Sequence, residues 1–520
     1  MSSAAPGPAA PPAEFRIADP LPTGTLLLEA SAGTGKTWAI AALVTRFVAE
    51  GHARLEDLLV VTFGRAASAE LKDRVRERLV EAEAVLAGLV AAPAGDELLT
   101  LLVDGDEEER SARRRRLRRA IGQFDEATIT TTHGFCHAVL RSLGTTGDVE
   151  PGSALVEDDL DIVDDVVSDL YLRAVGRGAT PPFTPEEART LGRKAVEDPA
   201  AHLLPTDAEA DSVPDLRRRF AAAVREESGR RRLAARTLSY DDLLQRLADA
   251  LEPHDSPART VMRDRWKIVL VDEFQDTDPV QWRILERAFV GHGTIVLVGD
   301  PKQAIYAFRG GDVSTYLQAA AVAQERRTLV LNHRSDAPLV ASVDALLHGT
   351  ALGDPEIVVR PARAALEGTR LVDPAHPQPF RLRVLTRADA DVATDKAVPV
   401  AAARSRIAQD VASEIAALLH GEATYDPGDG PRAVLPGDVA VLVERHAEAD
   451  LVQEALTRIG IAAVRGGGSD VLQSPAAAHW HTVLAAMDAP HRSGLVRAAA
   501  LGPFFGYSAA RLAATDGESV

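Results

Sequence analysis

Cysteine, long apolar runs and a secretion signal are scarce or absent in this 520-residue sequence. Cys136 is the only cysteine, so a disulfide framework within the chain is excluded and a reducing compartment is favoured. No apolar run is long enough to span a bilayer. The opening MSSAAPGPAAPPAEF has neither a basic start nor a long apolar core, so we interpret residues 1–20 as a disordered tail. These absences predict a cytoplasmic protein without a membrane partner.

Basic charge is also in deficit, because 58 Lys and Arg stand against 76 Asp and Glu, a net charge of −18. Phosphate contacts depend on local patches rather than on the average, so a nucleic-acid partner stays open. The local exception is RSARRRRLRR at 110–119. It is either a solvated helix face balanced by the acidic residues of 104–109, which the sequence favours, or a DNA-contacting patch.

The composition and the length of the sequence indicate a folded protein of several domains. The sequence is 46% hydrophobic and 26% charged, which is typical of soluble globular proteins. A chain of 520 residues exceeds what one hydrophobic core usually supports, so two to four domains are predicted.

A phosphate-binding loop is predicted in LLLEASAGTGKTW at 26–38. The apolar run predicts a strand, the small residues a turn, and the residues after them a helix whose first N–H groups converge on a phosphate. Lys36 is expected to reach the outer phosphates, and the Thr37 hydroxyl to complete the coordination of Mg²⁺. Ala30 replaces the first glycine of the G-x-x-x-x-G-K-[ST] pattern, so a glycine-rich connecting turn remains the alternative. The candidate nucleotide-binding residues of the loop are Ala30, Ser31, Ala32, Gly33, Thr34, Gly35, Lys36 and Thr37.

Three further apolar runs end in polar residues, as the first one does. They lie at 58–63, 268–273 and 294–300, with helical patterns between them. Short apolar strands that alternate with helices predict an α/β fold with a parallel sheet covered on both faces. Ligands of such sheets bind beyond the carboxyl ends of the strands, so the polar ends are predicted to form one site.

The adjacent carboxylates Asp272 and Glu273 supply what a phosphate loop needs. An aspartate at a strand end can hold magnesium, and a neighbouring glutamate can orient and deprotonate the attacking water. Gln275 follows closely and Gln303 lies after the next strand, so either amide is a candidate sensor of the terminal phosphate. Two solvated loop carboxylates are the alternative, which the upstream loop disfavours.

Seven motifs occur in the order typical of superfamily 1 DNA helicases of the UvrD/Rep class, which this sequence resembles over about residues 20–510. The forms EASAGTGKTW and DPKQAIYAFRG resemble the RecB branch of that class in particular. The motifs are ASAGTGKT, VTFGRAASAELKDR, TTHGFC, YDDLL, VLVDEFQDTD, VGDPKQAIYAFRG and LNHRS.

The resemblance implies a P-loop NTPase with RecA-like parallel-sheet cores that uses ATP and Mg²⁺. It further implies 3′ to 5′ movement on single-stranded DNA, action at duplex ends in double-strand break repair, and RecC-like and RecD-like partner subunits. Residue by residue, it implies that Gln303 couples the terminal phosphate to DNA. Arg334 is expected to reach that phosphate from a second core, and His333 occupies the position that stacks on the adenine in relatives.

DNA contacts are predicted from side chains that follow the strands of the first core. Aromatic faces stack on unpaired bases without regard to sequence, which suits a motor that must release every base it grips. Core packing is the alternative for each aromatic side chain. The candidates are Thr62, Phe63, His133, Phe135, Tyr306, Phe308 and Arg309.

The predicted organisation interrupts the first core with a helical insertion and leaves a second core incomplete. The second core is predicted from apolar runs at 328–331, 380–385 and 438–443. The motifs that would complete it, and a nuclease signature, are not found, so an amino-terminal portion of a longer protein is predicted. The predicted bounds are 21–143 and 237–324 for the first core, 144–236 for the insertion, 325–488 for the second core, and 489–520 for the start of a second insertion.

Two hypotheses of function follow. In the first, the protein is an ATP-driven DNA helicase of the RecB type, with AddA-like and UvrD-like repair helicases as close alternatives. In the second, these residues form a nucleotide- and DNA-binding module with little turnover.

Overall fold

The structure, a computed structural model, describes most of the chain in two compact units, Met1–Thr369 and Arg370–Val520. Among the described residues, none of the helices combines the length and apolarity that a membrane crossing requires. The described residues are 12–143, 154–155, 160–176, 178, 182–197, 202–235, 237–305, 312–389, 397–466 and 471–514.

A seven-stranded sheet forms the centre of the first unit. Its strands are β1 (Ala13–Glu14), β2 (Thr25–Ala30), β3 (Leu58–Thr62), β4 (Thr128–Thr131), β7 (Ile268–Val271), β8 (Thr294–Gly299) and β9 (Glu325–Leu329). The order across the sheet is β1-β9-β2-β8-β7-β3-β4, and every neighbouring pair is parallel. The predicted parallel sheet is therefore confirmed.

Helices cover both faces of this sheet. Successive strand residues alternate between the faces, so Leu26 and Leu28 pack into one hydrophobic core and Leu27 into the other. The hydrophobic cluster on the Leu26 face includes residues of α1 (Lys36–Glu50), α2 (Arg65–Leu86), α3 (Glu97–Val103) and α4 (Glu107–Gly122). The hydrophobic cluster on the Leu27 face includes residues of α5 (Thr132–Leu143), α9 (Tyr240–Ala250), α10 (Pro257–Arg265), α11 (Pro279–Phe289) and α12 (Val313–Val322).

Between α5 and α9 the described residues form a small helical body with its own core. Val163, Phe183 and Val224 are among the buried residues of that core. A short parallel pair, Ala154–Leu155 with Thr237–Leu238, joins the beginning and the end of the segment. The elements are β5 (Ala154–Leu155), α6 (Leu160–Gly176), α7 (Pro185–Glu197), α8 (Val213–Ala235) and β6 (Thr237–Leu238).

Strand β9 corrects two predicted boundaries. It pairs with β2 over five residues, from Leu26 opposite Glu325 to Ala30 opposite Leu329, so the first core does not end at residue 324. Strand β1 pairs in turn with β9, so Ala13 and Glu14 belong to the sheet and not to a disordered tail. The physical reason is that a sheet edge leaves backbone N–H and C=O groups in need of partners.

The first unit ends in a small parallel pair beside the sheet. Its strands pair from Leu331 opposite Arg363 onward, with an irregularity after Asn332. The elements are β10 (Leu331–Asp336), α13 (Ala337–Leu347) and β11 (Arg363–Leu366).

The second unit is mainly helical, and two predicted strands in it are wrong. No strand covers the apolar runs 380–385 and 438–443, and Leu382 and Leu442 are exposed, because the described residues offer these runs no neighbouring strand. Helices α14 and α15 share a core that includes Ala412 and Leu456. The elements are β12 (Leu371–Val372), α14 (Val400–His420), β13 (Thr424–Tyr425), β14 (Arg432–Ala433), α15 (His446–Arg458), α16 (Pro475–Asp488), α17 (Ser493–Leu501) and α18 (Ala509–Ala513).

Candidate nucleotide-binding site

The predicted phosphate loop connects β2 to α1 at the carboxyl edge of the sheet. Gly33 and Gly35 have φ angles of 78° and 89°, which disfavour other residues. A Cβ on Gly33 would lie 2.7 Å from the Cβ of Arg334, so a side chain there would also collide. The Thr34 hydroxyl closes the loop by donating to the Ser31 carbonyl at 2.7 Å.

The amino end of α1 is open to an anion. Gly35 is its N-cap, and among the described residues no side chain accepts from the first N–H groups of the helix. Those groups, together with the positive end of the helix dipole, favour a phosphate. Lys36 and Thr37 occupy the first turn, so an ammonium and a hydroxyl project from the same end of the helix.

The loop lysine and the candidate base are in contact. Lys36 Nζ lies 2.5 Å from Glu273 Oε2, which joins the start of α1 to the residue after β7. Glu273 has a φ of 49°, a left-handed conformation that is uncommon outside glycine. Its backbone N–H donates to Asp272 Oδ1 at 2.9 Å, which holds the Asp272 carboxylate against the backbone of the next residue.

Gln275 fixes the carboxylate of Glu273. The Gln275 amide nitrogen donates to Glu273 Oε2 at 2.7 Å, and its amide oxygen accepts from the backbone N–H of Asp300 at 3.0 Å. Only 3% of Gln275 is exposed. The sequence suggests Gln275 as a phosphate sensor, whereas in the structure both ends of the amide have protein partners that connect Glu273 to the end of β8.

Asp300 extends this network to the predicted coupling residue. Its carboxylate accepts from the Gln303 amide at 2.7 Å and pairs with Lys302 Nζ at 2.6 Å. Asp300 is buried. Sequence reasoning missed Asp300 and Lys302, although an acidic residue at the end of a predicted strand was the same signal that pointed to Asp272.

The acidic groups of the site crowd together. Burial, and then the charge of Glu273, raise the pKa of Asp272 to about 6. The same two causes raise the pKa of Asp276 to about 6, and its buried Oδ1 has no hydrogen-bond partner in the described part of the chain. Such a concentration of carboxylates is relieved by a cation.

The donor set fits magnesium bound together with a nucleotide. In the described residues no three His, Cys, Asp or Glu side chains converge on one point, so an all-protein metal cage is not formed there. Mg²⁺ at nucleotide sites is held by one or two carboxylates plus phosphate oxygens. Thr37 and Asp272 are the residues that would hold it.

Strand β10 brings two further predicted residues to the loop. The His333 backbone N–H donates to the Gly33 carbonyl at 2.8 Å, and the Asn332 amide donates to the Ala32 carbonyl at 3.1 Å. Asn332 Oδ1 also accepts from the backbone N–H of Arg334 at 2.8 Å. The side chains of His333 and Arg334 are exposed beside the loop. Asn332, which the sequence analysis missed, is the residue that fastens this strand.

Two of the predicted DNA contacts are wrong. Phe135 is fully buried and packs edge-on against Trp266 at 6.4 Å between ring centroids, so its ring has no face for a base. Thr62 is buried too, and its hydroxyl donates to the Gly64 carbonyl. Both residues lie where elements from distant parts of the chain cover them.

The remaining predicted DNA contacts are only partly placed. Phe63 and His133 are half-buried near the carboxyl edge of the sheet. The ring of His133 lies 4.8 Å from that of Tyr240, and burial lowers the pKa of His133, which favours the neutral imidazole. Tyr306, Phe308 and Arg309 lie outside the described residues.

Comparisons with known proteins agree with this geometry. The chain is 50% identical over 503 residues to RecBCD enzyme subunit RecB of Mycobacterium tuberculosis, an alignment that covers 96% of this chain and 45% of that protein. The RecB subunit of Mycolicibacterium smegmatis is 51% identical over 496 residues, covering 95% and 45%. That of Escherichia coli is 28% identical over 621 aligned residues, covering 94% and 52%. The chain thus spans about half the length of these curated relatives.

A family model matches most of the first unit, which contains the candidate nucleotide-binding site. The model of the UvrD/REP helicase N-terminal domain matches residues 12–324, from the first strand of the sheet to the segment after α12. This match covers more than half of the sequence and contains the phosphate loop, the acidic pair and Gln303. The chain belongs to the UvrD/REP helicase family.

Proposed function

We propose that this chain is the motor portion of an ATP-dependent DNA helicase that acts in recombinational repair of double-strand breaks. The observation that carries the proposal is the contact of Lys36 with Glu273 at the open end of α1. Lys36 and Glu273 are the predicted phosphate-binding cation and general base, so their contact supports a site that can hydrolyse a nucleotide. The relatives named as RecBCD subunits support assembly with RecC-like and RecD-like subunits.

Bound ATP and Mg²⁺ would supply the phosphoanhydride bond and a charge that stabilises its cleavage. Lys36 and the first N–H groups of α1 would hold the outer phosphates, and Thr37 and Asp272 would hold the metal. Once Lys36 turns to a phosphate, Glu273 Oε2 loses one donor and can accept a proton from water. Gln275 keeps that carboxylate in place through the change, because its other end is bound to the backbone of β8.

Coupling to DNA is assigned to the end of β8. Gln303 is held by Asp300, and Asp300 is held by Gln275, so an unbroken series of hydrogen bonds runs from Gln303 to Glu273. A change in the position of Gln303 would therefore reach the base through Asp300 and Gln275. This arrangement supports stimulation of hydrolysis by single-stranded DNA, with Phe63 and His133 as candidate DNA contacts.

Replacing Gln275 with methionine is expected to lower kcat for ATP hydrolysis about 10- to 100-fold. The variant removes both hydrogen bonds of the amide, and the bond to the charged Glu273 typically contributes about 1.5–3 kcal/mol. The dissociation constant for nucleotide should stay within about twofold, because Lys36 and the loop are untouched. Steady-state kinetics and nucleotide titration measure the two effects separately.

Two outcomes would contradict this role of Gln275. A rise in the nucleotide dissociation constant at constant kcat would make Gln275 a binding residue instead. A kcat equal to that of the unmodified protein would show that Glu273 needs no such support. Gln281 is a matched control, since it is also a buried glutamine and bonds to Asp278 at the start of α11 rather than to Glu273 or Asp300.

The helicase proposal is tested by strand separation with the purified protein. Partial duplexes that carry either a 3′ or a 5′ single-stranded extension are incubated with ATP and Mg²⁺. Movement from 3′ to 5′ separates the 3′-tailed duplex in preference to the other. Strand separation that is independent of ATP, or nucleotide binding without DNA-stimulated turnover, would overturn the proposal.

A further inference from the structure

We propose that a cationic surface on α2 and α4 binds the phosphate backbone of duplex DNA, outside the nucleotide site. The proposal rests on the proposed function, because it assumes that DNA is the partner. The surface, called the α4 surface below, is formed by Lys72, Arg76, Arg115, Arg116, Arg118 and Arg119.

The structure does not support the interpretation that the acidic residues of 104–109 balance the charge of the arginine run at 110–119. The acidic residues before it are at the amino end of α4, where Asp106 caps the helix by accepting from the Glu109 N–H at 2.8 Å. Only one of them pairs with the run, through Glu107 and Arg110 at 2.9 Å. The arginines further along α4 are beyond the reach of this acidic turn.

Most of those arginines are held by uncharged groups. Arg116 donates to the backbone carbonyl of Ala49 at 2.9 Å, and Arg115 donates to the Ser111 hydroxyl at 2.8 Å. A carbonyl or hydroxyl orients a guanidinium without cancelling its charge. Arg114 is different, because it pairs with Glu83 of α2.

The two residues at the carboxyl end of the run are the most accessible. Arg119 donates to the Gln123 side chain at 3.0 Å, and Arg118 has no hydrogen bond or ion pair among the described residues. Both are exposed. Neither forms an ion pair with a carboxylate in the described part of the chain, so both guanidinium groups stay available to an anion in a protein whose net charge is −18.

Helix α2 extends the surface. Lys72 Nζ and the Arg76 guanidinium lie 5.9 and 5.6 Å from the ring centroid of Phe124, which follows α4. At the other end of the helix pair, Arg114 meets Glu83. The two helices therefore run antiparallel, and the cations of α2 continue the row formed by the end of α4.

The α4 surface lies away from the nucleotide. Arg116 binds a carbonyl near the carboxyl end of α1, whereas Lys36 is at its amino end. Fifteen residues of α-helix extend about 22 Å, so the surface is on the opposite edge of the sheet from the phosphate loop. A ligand bound there does not compete with nucleotide.

The chemistry of the surface favours a duplex backbone over single-stranded DNA. Arginine forks match phosphate oxygens, and a local positive patch attracts a polyanion even on an acidic protein. Binding of single strands usually adds exposed aromatic rings on which bases stack. Phe124, the aromatic ring of this surface, is only 4% exposed beneath Lys72 and Arg76, so phosphates rather than bases are the accessible target.

The test is a double variant, Arg118→Gln with Arg119→Gln. Binding is measured over a salt series for a single-stranded oligonucleotide and for the same oligonucleotide extended by a duplex. We expect the duplex-dependent gain in affinity to fall about 10-fold, with a salt slope lower by about 2, since each lost phosphate contact removes about 0.9. Single-strand binding and the hydrolysis that it stimulates should be unchanged, as should the melting temperature.

A matched control removes two other exposed arginines, Arg445→Gln with Arg458→Gln, which each have a glutamate within 4 Å. If the control lost as much affinity for the duplex, or if the α4 variant lost as much affinity for single-stranded DNA, the change in net charge alone would explain the result. Either outcome would overturn the proposal. Unchanged duplex binding in the α4 variant would also overturn it and would favour an acidic protein as the partner. Failure of the proposed function is distinguishable, because it abolishes DNA-stimulated hydrolysis in the unmodified protein.

Discussion

Glu273→Gln is expected to lower the rate of ATP hydrolysis by about 10²–10⁴-fold while nucleotide binding is retained. The amide has nearly the same shape as the carboxylate but cannot accept a proton from water, and general-base catalysis contributes on this scale. The hydrogen bond from Gln275 to this position can persist, since the substituted amide still offers a carbonyl oxygen. Single-turnover hydrolysis and a fluorescent-nucleotide titration measure the two quantities.

Lys36→Ala is the matched comparison for that variant. It should weaken nucleotide binding as well as hydrolysis, because it removes the cation from the open end of α1. Hydrolysis by Glu273→Gln within tenfold of the unmodified rate would show that another group activates the water. If both variants lost nucleotide binding equally, the Lys36–Glu273 contact would be needed to maintain the loop. Binding could then not be assigned to Lys36 alone and hydrolysis to Glu273 alone.

Arg334→Ala is expected to lower kcat by roughly 10³–10⁵-fold, the range for an arginine that stabilises charge on a transferring phosphoryl group. Its Cβ lies against Gly33, and its exposed side chain begins beside the phosphate loop. The bond that anchors this position runs from the backbone N–H of Arg334 to Asn332, so the substitution leaves the anchor intact. Rapid-quench measurement of the hydrolysis step gives the result directly.

The matched control is Arg334→Lys, which keeps the charge and loses the planar fork. We expect partial recovery relative to alanine, since a compact ammonium cannot form two parallel bonds to phosphate oxygens. A loss below tenfold for the alanine variant would show that Arg334 does not contact the reacting phosphate. In that event the exposed His333 next to it would be the side chain to examine.

The parallel sheet and the centre of the site were predictable because their signals are local. Each central strand is a continuous apolar run, as a strand buried on both faces must be, and each predicted ligand follows such a run directly. The glycines before Lys36 and the carboxylate pair after β7 lie within a few residues of a strand end. Short-range patterns therefore pointed to Lys36, Asp272 and Glu273, which the structure brings together at one sheet edge and whose roles in hydrolysis stay predictions.

Other features depend on partners far away in the chain. Phe135 has the sequence context of a DNA contact, yet residues more than a hundred positions later bury it. The role of Gln275 depends on Asp300, and that of Asn332 on Ala32, and neither pairing has a signal of its own. The apolar runs at 380–385 and 438–443 show the same limit, because a strand exists only where another strand pairs with it.

The contact between Lys36 and Glu273 sets a thermodynamic condition on nucleotide affinity. A phosphate bound by Lys36 would have to compete with Glu273 for the ammonium group, so part of the binding free energy would be used to separate the two side chains. The affinity for nucleotide would then be lower than that of a loop whose lysine is already released. Because Lys36 and Glu273 are paired with each other, a phosphate that took the ammonium group would also leave the carboxylate free to act as a base.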